Sequence, residues 1–291
     1  MITVLPAPSQ QAPRLGFLSL ELTSRCQLIC PSHCYAQAGP TQGHGSMSEG
    51  DWRRVIDEAA ALGTDTVQFI GGEPTLHPGF TDLVHHALGA GLRVRVYSNL
   101  FRVRAEHWTL YARPDVSVAT SYYSDDPDEH DRITGRHGSH DSTRANLIEA
   151  VRRNIPVQVA VIDRGNGQRA QQARDELLQL GIRDVTVSPV RAIGNAAVSS
   201  TLPSTTELCG RCADEKAAIL PDGRVAVCEI GRFLTGGSVK SGSLAAVLRS
   251  PRWEQLAASI PRSAGPCPPD CSPNDDSCGP SSGGTCDPAA G

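Results

Sequence analysis

Three features of the sequence predict an α/β chain, an open partial (β/α)6 TIM-like barrel followed by a small cysteine-rich C-terminal extension. Apolar residues alternate at period two and then recur at helical spacing in six successive strand–helix steps. The connections are short, which favours a parallel sheet with right-handed crossovers. The first strand runs into cysteines, not into the glycine-rich turn that a flat dinucleotide-binding sheet requires. Six units fall short of the eight that close a full barrel, so the barrel is expected to stay open.

Each element has its own pattern. Leu18, Leu20 and Leu22 share one face of a strand over 17–22. Ser48 reads as an N-cap with Asp51 three residues on, and Trp52, Val55, Ile56 and Ala59 follow at helical spacing. A short buried strand over 67–70 precedes a helix face of Phe80, Leu83, Val84, Ala87 and Leu88. The third strand covers 92–97, a short helix 106–111, and the fourth strand 116–120. The next helix is expected over 142–153, carrying Leu147, Ile148 and Val151 inward. A fifth strand over 157–162, a helix over 168–180 and a sixth strand over 184–188 complete the pattern.

Composition narrows the function. A net charge of −4 gives no electrostatic footprint for nucleic acid or an anionic membrane. No run of 18 apolar residues occurs, and the first residues lack the charged and apolar regions of a secretory signal. These features predict a cytoplasmic protein with neither nucleic acid nor membrane as partner. Ten cysteines in a reducing compartment then point to metal in preference to disulfides. They fall into two groups: Cys26, Cys30 and Cys34 near the start, and Cys209, Cys212, Cys228, Cys267, Cys271, Cys278 and Cys286 in the last third. Residues 261–291 hold four of these cysteines and no Leu, Ile, Val, Met, Phe, Tyr or Trp. Such a segment cannot bury enough apolar surface to offset its ordering entropy, so either it stays disordered or, the favoured reading, bound metal organises it.

Three thiolates on one loop at the carboxyl end of a parallel strand suit an iron–sulfur cluster that leaves one iron without a protein ligand. A zinc site completed by His33 is the competing reading. The stretch from Cys26 to Cys34 resembles the cluster motif of the radical S-adenosylmethionine (SAM) superfamily, whose fold is a partial barrel. That resemblance implies a [4Fe–4S] cluster on Cys26, Cys30 and Cys34. It also implies SAM chelated at the open iron and cleaved by one electron to methionine and a 5′-deoxyadenosyl radical. The family usually spaces its cysteines CxxxCxxC, whereas three residues separate Cys30 from Cys34. Loops absorb such single insertions readily.

Further cofactor-binding positions follow from the resemblance. Gly71-Gly72-Glu73-Pro74, after the second strand, looks like the family's GGEP motif. Its glycines allow close approach to backbone and imply a site for the SAM amino group, with Glu73 fixing the turn. Ser98 and Asn99 after strand three, and Ser121 at the end of strand four, match positions that contact the SAM ribose or carboxylate in the family. Gly194 resembles its glycine turn near the adenine. Arg132 and Arg136 read as solvated arginines or as substrate contacts. No catalytic acid or base is singled out.

The spacing from Cys212 through Gly223 to Cys228 resembles the opening of the SPASM or twitch extension, which implies one or two auxiliary iron–sulfur clusters. Pro221, Asp222 and Gly223 read as the turn of a hairpin that brings Cys209 or Cys212 near Cys228. Zinc ribbons are the alternative for Cys209 and Cys212. The expected division is a tail over 1–15, the radical SAM barrel over 16–200 and the auxiliary cluster region over 201–291.

The resemblance therefore implies an oxidoreductase that abstracts hydrogen from a peptide, cross-linking or otherwise modifying a ribosomally made precursor. An external donor such as flavodoxin or ferredoxin would supply the electron. With only some 15 residues before the first strand, precursor recognition is expected at the barrel mouth or through another protein. Two alternatives remain at this stage. One is a radical SAM dehydrogenase or oxidase of a small molecule such as a sugar or alcohol in natural-product biosynthesis. The other is a zinc-binding interaction protein.

Overall fold

The computed structural model describes residues 14–197 and 203–262. Nine strands form one sheet in the order β6-β5-β4-β3-β2-β1-β7-β8-β9. The barrel strands are β1 (Phe17–Thr23), β2 (Thr66–Gly71), β3 (Arg93–Tyr97), β4 (Val116–Tyr122), β5 (Val157–Asp163) and β6 (Asp184–Pro189), each parallel to its neighbour. Helices α1 (Glu49–Ala61), α2 (Phe80–Gly89), α3 (Ala105–Tyr111), α4 (Pro127–Thr134), α5 (Ser139–Arg152) and α6 (Ala170–Gln179) lie between them. This is the α/β partial barrel that the periodicity predicts.

The two faces of β1 show how the sequence directs the layers. Leu18, Leu20 and Leu22 join Trp52, Val55, Ile56 and Ala59 of α1 in the main core. The alternate residues Ser19 and Glu21 are buried too, at 0% and 1% exposure, on the opposite face of the strand. Helix α1 starts where expected, because Ser48 and Asp51 form a reciprocal capping box.

Two local expectations are corrected. Between β4 and β5 there are two helices, not one. Helix α4 is polar on most of its surface and leaves no apolar stripe to read. It is specified instead by Asp126, whose side chain accepts the Glu129 N–H at 2.8 Å, and by Pro127 in its first turn. It stops at Gly135, in the left-handed region at φ 67°. Helix α5 then begins at Ser139, three residues before the expected start. Its buried face carries Thr143, Leu147 and Ala150, while Ile148 is 40% exposed.

The last third continues the same sheet. Strand β7 (Lys216–Ile219) pairs in parallel with β1, and β8 (Arg224–Ala226) and β9 (Thr235–Ser238) follow antiparallel. Helices α7 (Leu244–Leu248) and α8 (Pro251–Ser259) pack their apolar faces into the main core. Among the described residues no helix is long and apolar enough to cross a membrane.

Candidate active site

The loop after β1 folds back on itself before it presents its cysteines. The Cys26 N–H donates to the Gly39 carbonyl at 3.1 Å and the Ser24 N–H to that of Gly43 at 3.1 Å. The Ile29 and Cys30 N–H groups both donate to the Thr134 carbonyl, at 3.0 and 2.9 Å, so the end of α4 braces the loop. The extra residue between Cys30 and Cys34 is taken up as a single turn, with the Cys34 N–H donating to the Cys30 carbonyl at 3.3 Å.

All three thiols line one cavity with about 1030 Å³ of empty space, its open mouth included, at the upper end of small-molecule sites of roughly 300–1,000 Å³. Gly71, Gly72, Asn99 and Ser121 line the same cavity. The site thus gathers the carboxyl ends of β1 to β4, where barrel enzymes carry their chemistry.

The turn after β2 is held by its glutamate. Glu73 Oε1 accepts the Thr75 N–H at 3.2 Å, the Thr75 hydroxyl at 2.7 Å and the Ser98 hydroxyl at 3.0 Å, and Oε2 accepts the Asn99 N–H at 2.8 Å. The Gly72 N–H donates to the Thr23 carbonyl at 2.7 Å. A Cβ at Gly72 would sit 2.3 Å from the Arg25 carbonyl oxygen, so glycine is required for this approach. Pro74 opens the short turn that Glu73 caps. Glu73, Pro74 and Ser98 therefore support the site from behind its wall and do not line the cavity.

Gly194 packs directly against the cysteine loop. At φ +62°, its Cα approaches the cysteine loop so closely that a Cβ would lie 2.3 Å from the Cys34 carbonyl oxygen. The Asn195 N–H donates to that carbonyl at 2.9 Å, and the Asn195 side chain to the Cys30 carbonyl at 3.1 Å. Arg136 stacks 5.0 Å over the Phe101 ring, and Arg132 is exposed.

The cysteine trio fits a cluster. Burial first, then the Glu73 charge, push the Cys26 thiol up to about 12, and burial with the neighbouring thiols raises Cys30 well above its ordinary value. Crowded thiols of this kind ionise when bound cations supply the missing positive charge. N–H groups already aim at the sulfurs: Leu28 at Cys26 Sγ (3.4 Å), Ala38 at Cys34 Sγ (3.3 Å) and the Asn99 amide at Cys26 Sγ (3.5 Å). Such donors orient and tune cluster thiolates. No three His, Cys, Asp or Glu side chains among the described residues group about one point as a single metal ion requires; a cubane takes its thiolates on separate irons. His33 packs against Tyr123 at a centroid distance of 4.8 Å with the rings tilted by 57°, and burial lowers it to about 4.

Several cavity residues carry no sequence motif, among them Tyr97, Tyr123, His130 and Thr143. The Tyr97 hydroxyl lies 3.1 Å from the Ser121 hydroxyl. Strand alternation could have found Tyr97, which follows Arg93 and Arg95 on one face of β3; the others depend on tertiary packing.

Cys209, Cys212 and Cys228 of the second cysteine group lie around the β7–β8 hairpin. Its turn closes through the Gly223 N–H and the Leu220 carbonyl at 2.8 Å, with Gly223 at φ +87°. Cys209, Cys212 and Cys228 are buried, and Cys212 Sγ lies 2.6 Å from Cys228 Sγ. Hydrogen bonding to Cys209 and Cys228 raises the Cys212 thiol well above its ordinary value. Cys267, Cys271, Cys278 and Cys286 lie outside the described residues.

Comparison with known proteins gives consistent results. Over 223 residues the chain is 33% identical to a PqqA peptide cyclase of Ruegeria pomeroyi, covering 74% of this chain and 59% of that one. It is 31% identical over 180 residues to the sporulation killing factor maturation protein SkfB of Bacillus subtilis, covering 61% and 43%. The chain thus spans about half the length of these curated relatives. The structure of Streptococcus suis SuiB bound to precursor peptide SuiA shares the fold, with a TM-score of 0.70 at 13% identity over 84% of this chain and 67% of that one. Residues 20–177 match the family described as the radical SAM superfamily, and the chain belongs to it.

Proposed function

We propose that the chain is a radical SAM oxidoreductase that modifies a peptide, most simply by cross-linking a ribosomally made precursor. The observation that carries this reading is the convergence of Cys26, Cys30 and Cys34 with the Gly71–Gly72 turn on one cavity. Relatives named for peptide cyclisation, and a fold neighbour bound to a precursor peptide, supply the substrate class.

When bound, the cluster and SAM supply a 5′-deoxyadenosyl radical, the hydrogen-abstracting agent. The protein's own residues do the rest. Cys26, Cys30 and Cys34 would hold the cluster at this cavity. Backbone at Gly71 and Gly72, with Asn99 and Ser121 on the same cavity wall, would hold SAM. Glu73, Ser98 and Gly194 hold those groups in place. The apolar cavity wall, which includes Leu28, Ile70 and Ile162, keeps water from the reacting carbon.

Residues 16–200 form the catalytic barrel in this reading, and 201–291 the auxiliary region. Cys209, Cys212 and Cys228 hold an auxiliary cluster, with further ligands from Cys267, Cys271, Cys278 and Cys286. When bound there, such a cluster would supply an electron acceptor for oxidative cross-linking. A flavodoxin or ferredoxin supplies the priming electron, in the cytoplasm.

The test is production of 5′-deoxyadenosine by the anaerobically reconstituted, dithionite-reduced chain with SAM and a candidate precursor. Turnover should be lost in the Cys26→Ala/Cys30→Ala/Cys34→Ala variant, and the peptide should lose about two mass units per cross-link through oxidative loss of two hydrogens. Intact SAM under these conditions defeats the reading.

A further inference from the structure

Two ion pairs stand inside the barrel between the two cysteine groups, and the proposed chemistry uses neither. Lys216 Nζ lies 3.3 Å from Glu229 Oε2, with side-chain exposures of 7% and 1%, and Glu229 directly follows Cys228. Arg232 sends Nη2 to Glu21 Oε2 at 3.0 Å and Nη1 to the Ala36 carbonyl at 3.2 Å. Ala36 is two residues beyond Cys34. One guanidinium therefore ties together β1, the cysteine loop and the segment that leaves Cys228.

Stability alone does not account for this fork. Glu21 is 1% exposed and Arg232 21%, and a buried pair of this kind commonly does no better than well-packed apolar residues. Its geometry is directional: the carboxylate lies on the β1 side and the cation faces the cysteine loop.

We propose that Arg232 is a positioning residue that raises the reduction potential of the cluster on Cys26, Cys30 and Cys34. This rests on the reading of those three cysteines as cluster ligands. Reduction adds one electron, supplied by an external low-potential donor, and no proton, so the centre gains one negative charge. A fixed cation beside the Cys34 arm of the loop favours that more negative form, and the Glu21 carboxylate behind it opposes the effect. Arginine suits the position because its planar fork makes two bonds in different directions and keeps its charge when buried. Local charge and hydrogen bonds to the sulfurs are established controls of cluster potential. The β8–β9 connection, which carries Arg232, thereby contributes to the first reductive step.

The experiment is an EPR-monitored redox titration of the anaerobically reconstituted full chain, comparing wild type with Arg232→Gln, Arg232→Lys and Glu21→Gln. Arg232→Gln should lower the ratio of reduced to oxidised cluster at the wild-type midpoint by about tenfold, a shift of about 59 mV for one electron. Glu21→Gln should move the midpoint the opposite way, and Arg232→Lys should remain within about threefold of wild type. Glu21→Gln is nearly isosteric and leaves the test standing if Arg232→Gln does not fold. Coincident midpoints, or shifts of the same sign in Arg232→Gln and Glu21→Gln, overturn the proposal alone. Absence of an EPR-active cluster dependent on Cys26, Cys30 and Cys34 in the wild type overturns the reading of the site, and the proposal with it.

Discussion

The Glu73 carboxylate accepts the backbone N–H of Asn99 at 2.8 Å, which fastens the end of β2 to the end of β3 behind the cavity wall. Glu73→Gln presents an amide that cannot accept at both ends of this network. Leaving one buried donor unpaired costs about 1–3 kcal/mol. We expect lower stability in urea and a raised KM for SAM, because Asn99 lines the cavity while Glu73 does not. Unchanged SAM binding in the folded variant would contradict this.

Gly194→Ala brings a side chain against the Cys34 and Tyr35 carbonyls at a backbone angle of +62°. Strain there is expected to displace the cysteine loop and leave the barrel core intact. Iron content at the barrel site should fall while far-ultraviolet circular dichroism stays native. Full iron occupancy in Gly194→Ala would show that the loop tolerates the displacement.

Asp131 links stability to pH. Burial acts to raise its carboxyl, but the N–H groups of His140 and Gly138 and the Ser139 hydroxyl outweigh this and hold it below the ordinary carboxylate range. A group depressed in the folded state contributes stability above its unfolded pKa, and the contribution is lost as pH falls through the folded value. Asp131→Asn should therefore cost about 1.5–3 kcal/mol at neutral pH and flatten the acid limb of the stability profile. Urea melts at pH 7 and pH 3 in both proteins check the sign. The turn it holds carries Thr134, so iron retention should follow the same profile.

Lys216 and Glu229 are so buried that removing the cation leaves the Glu229 carboxylate with only its neutral Ser19 and Gln68 donors. Lys216→Met should cost about 3–5 kcal/mol, and Lys216→Met/Glu229→Gln clearly less. Glu229→Gln alone completes a double-mutant cycle, and the departure of the double variant from the sum of the two singles measures the pair. Additive losses would show that the two side chains act independently.

The sequence reveals most of the barrel because its elements are locally encoded. Leu18, Leu20 and Leu22 alternate with Ser19 and Glu21, and Ser48 with Asp51 announces α1. The cysteine loop and the Gly71–Gly72 turn are each contiguous in the chain, so their resemblance to the family's motifs is legible in the sequence. Helix α4 is hidden because its signal lies in a cap and a proline, not in an apolar stripe. Helix α5 starts early because Asp131, outside the helix, accepts N–H groups from Gly138 and His140. The Glu21–Arg232 contact joins positions 211 apart in the chain, and the Ser19 hydroxyl, the Gln68 amide and the Glu229 carboxylate meet across similar separations. No local pattern encodes such pairings; they exist only once the sheet has formed.

The parallel match of β7 to β1 also has a consequence for biosynthesis. Phe17 to Leu20 pair on one side with Thr66 to Phe69 and on the other with Lys216 to Ile219. During translation the first flank is available early, and the second only after some 200 residues have followed. Throughout that interval the opening strand presents a bare, leucine-rich border of the kind that recruits foreign strands. The nascent chain is thus most vulnerable to aggregation before its hairpin emerges, and chaperone protection matters most in that window.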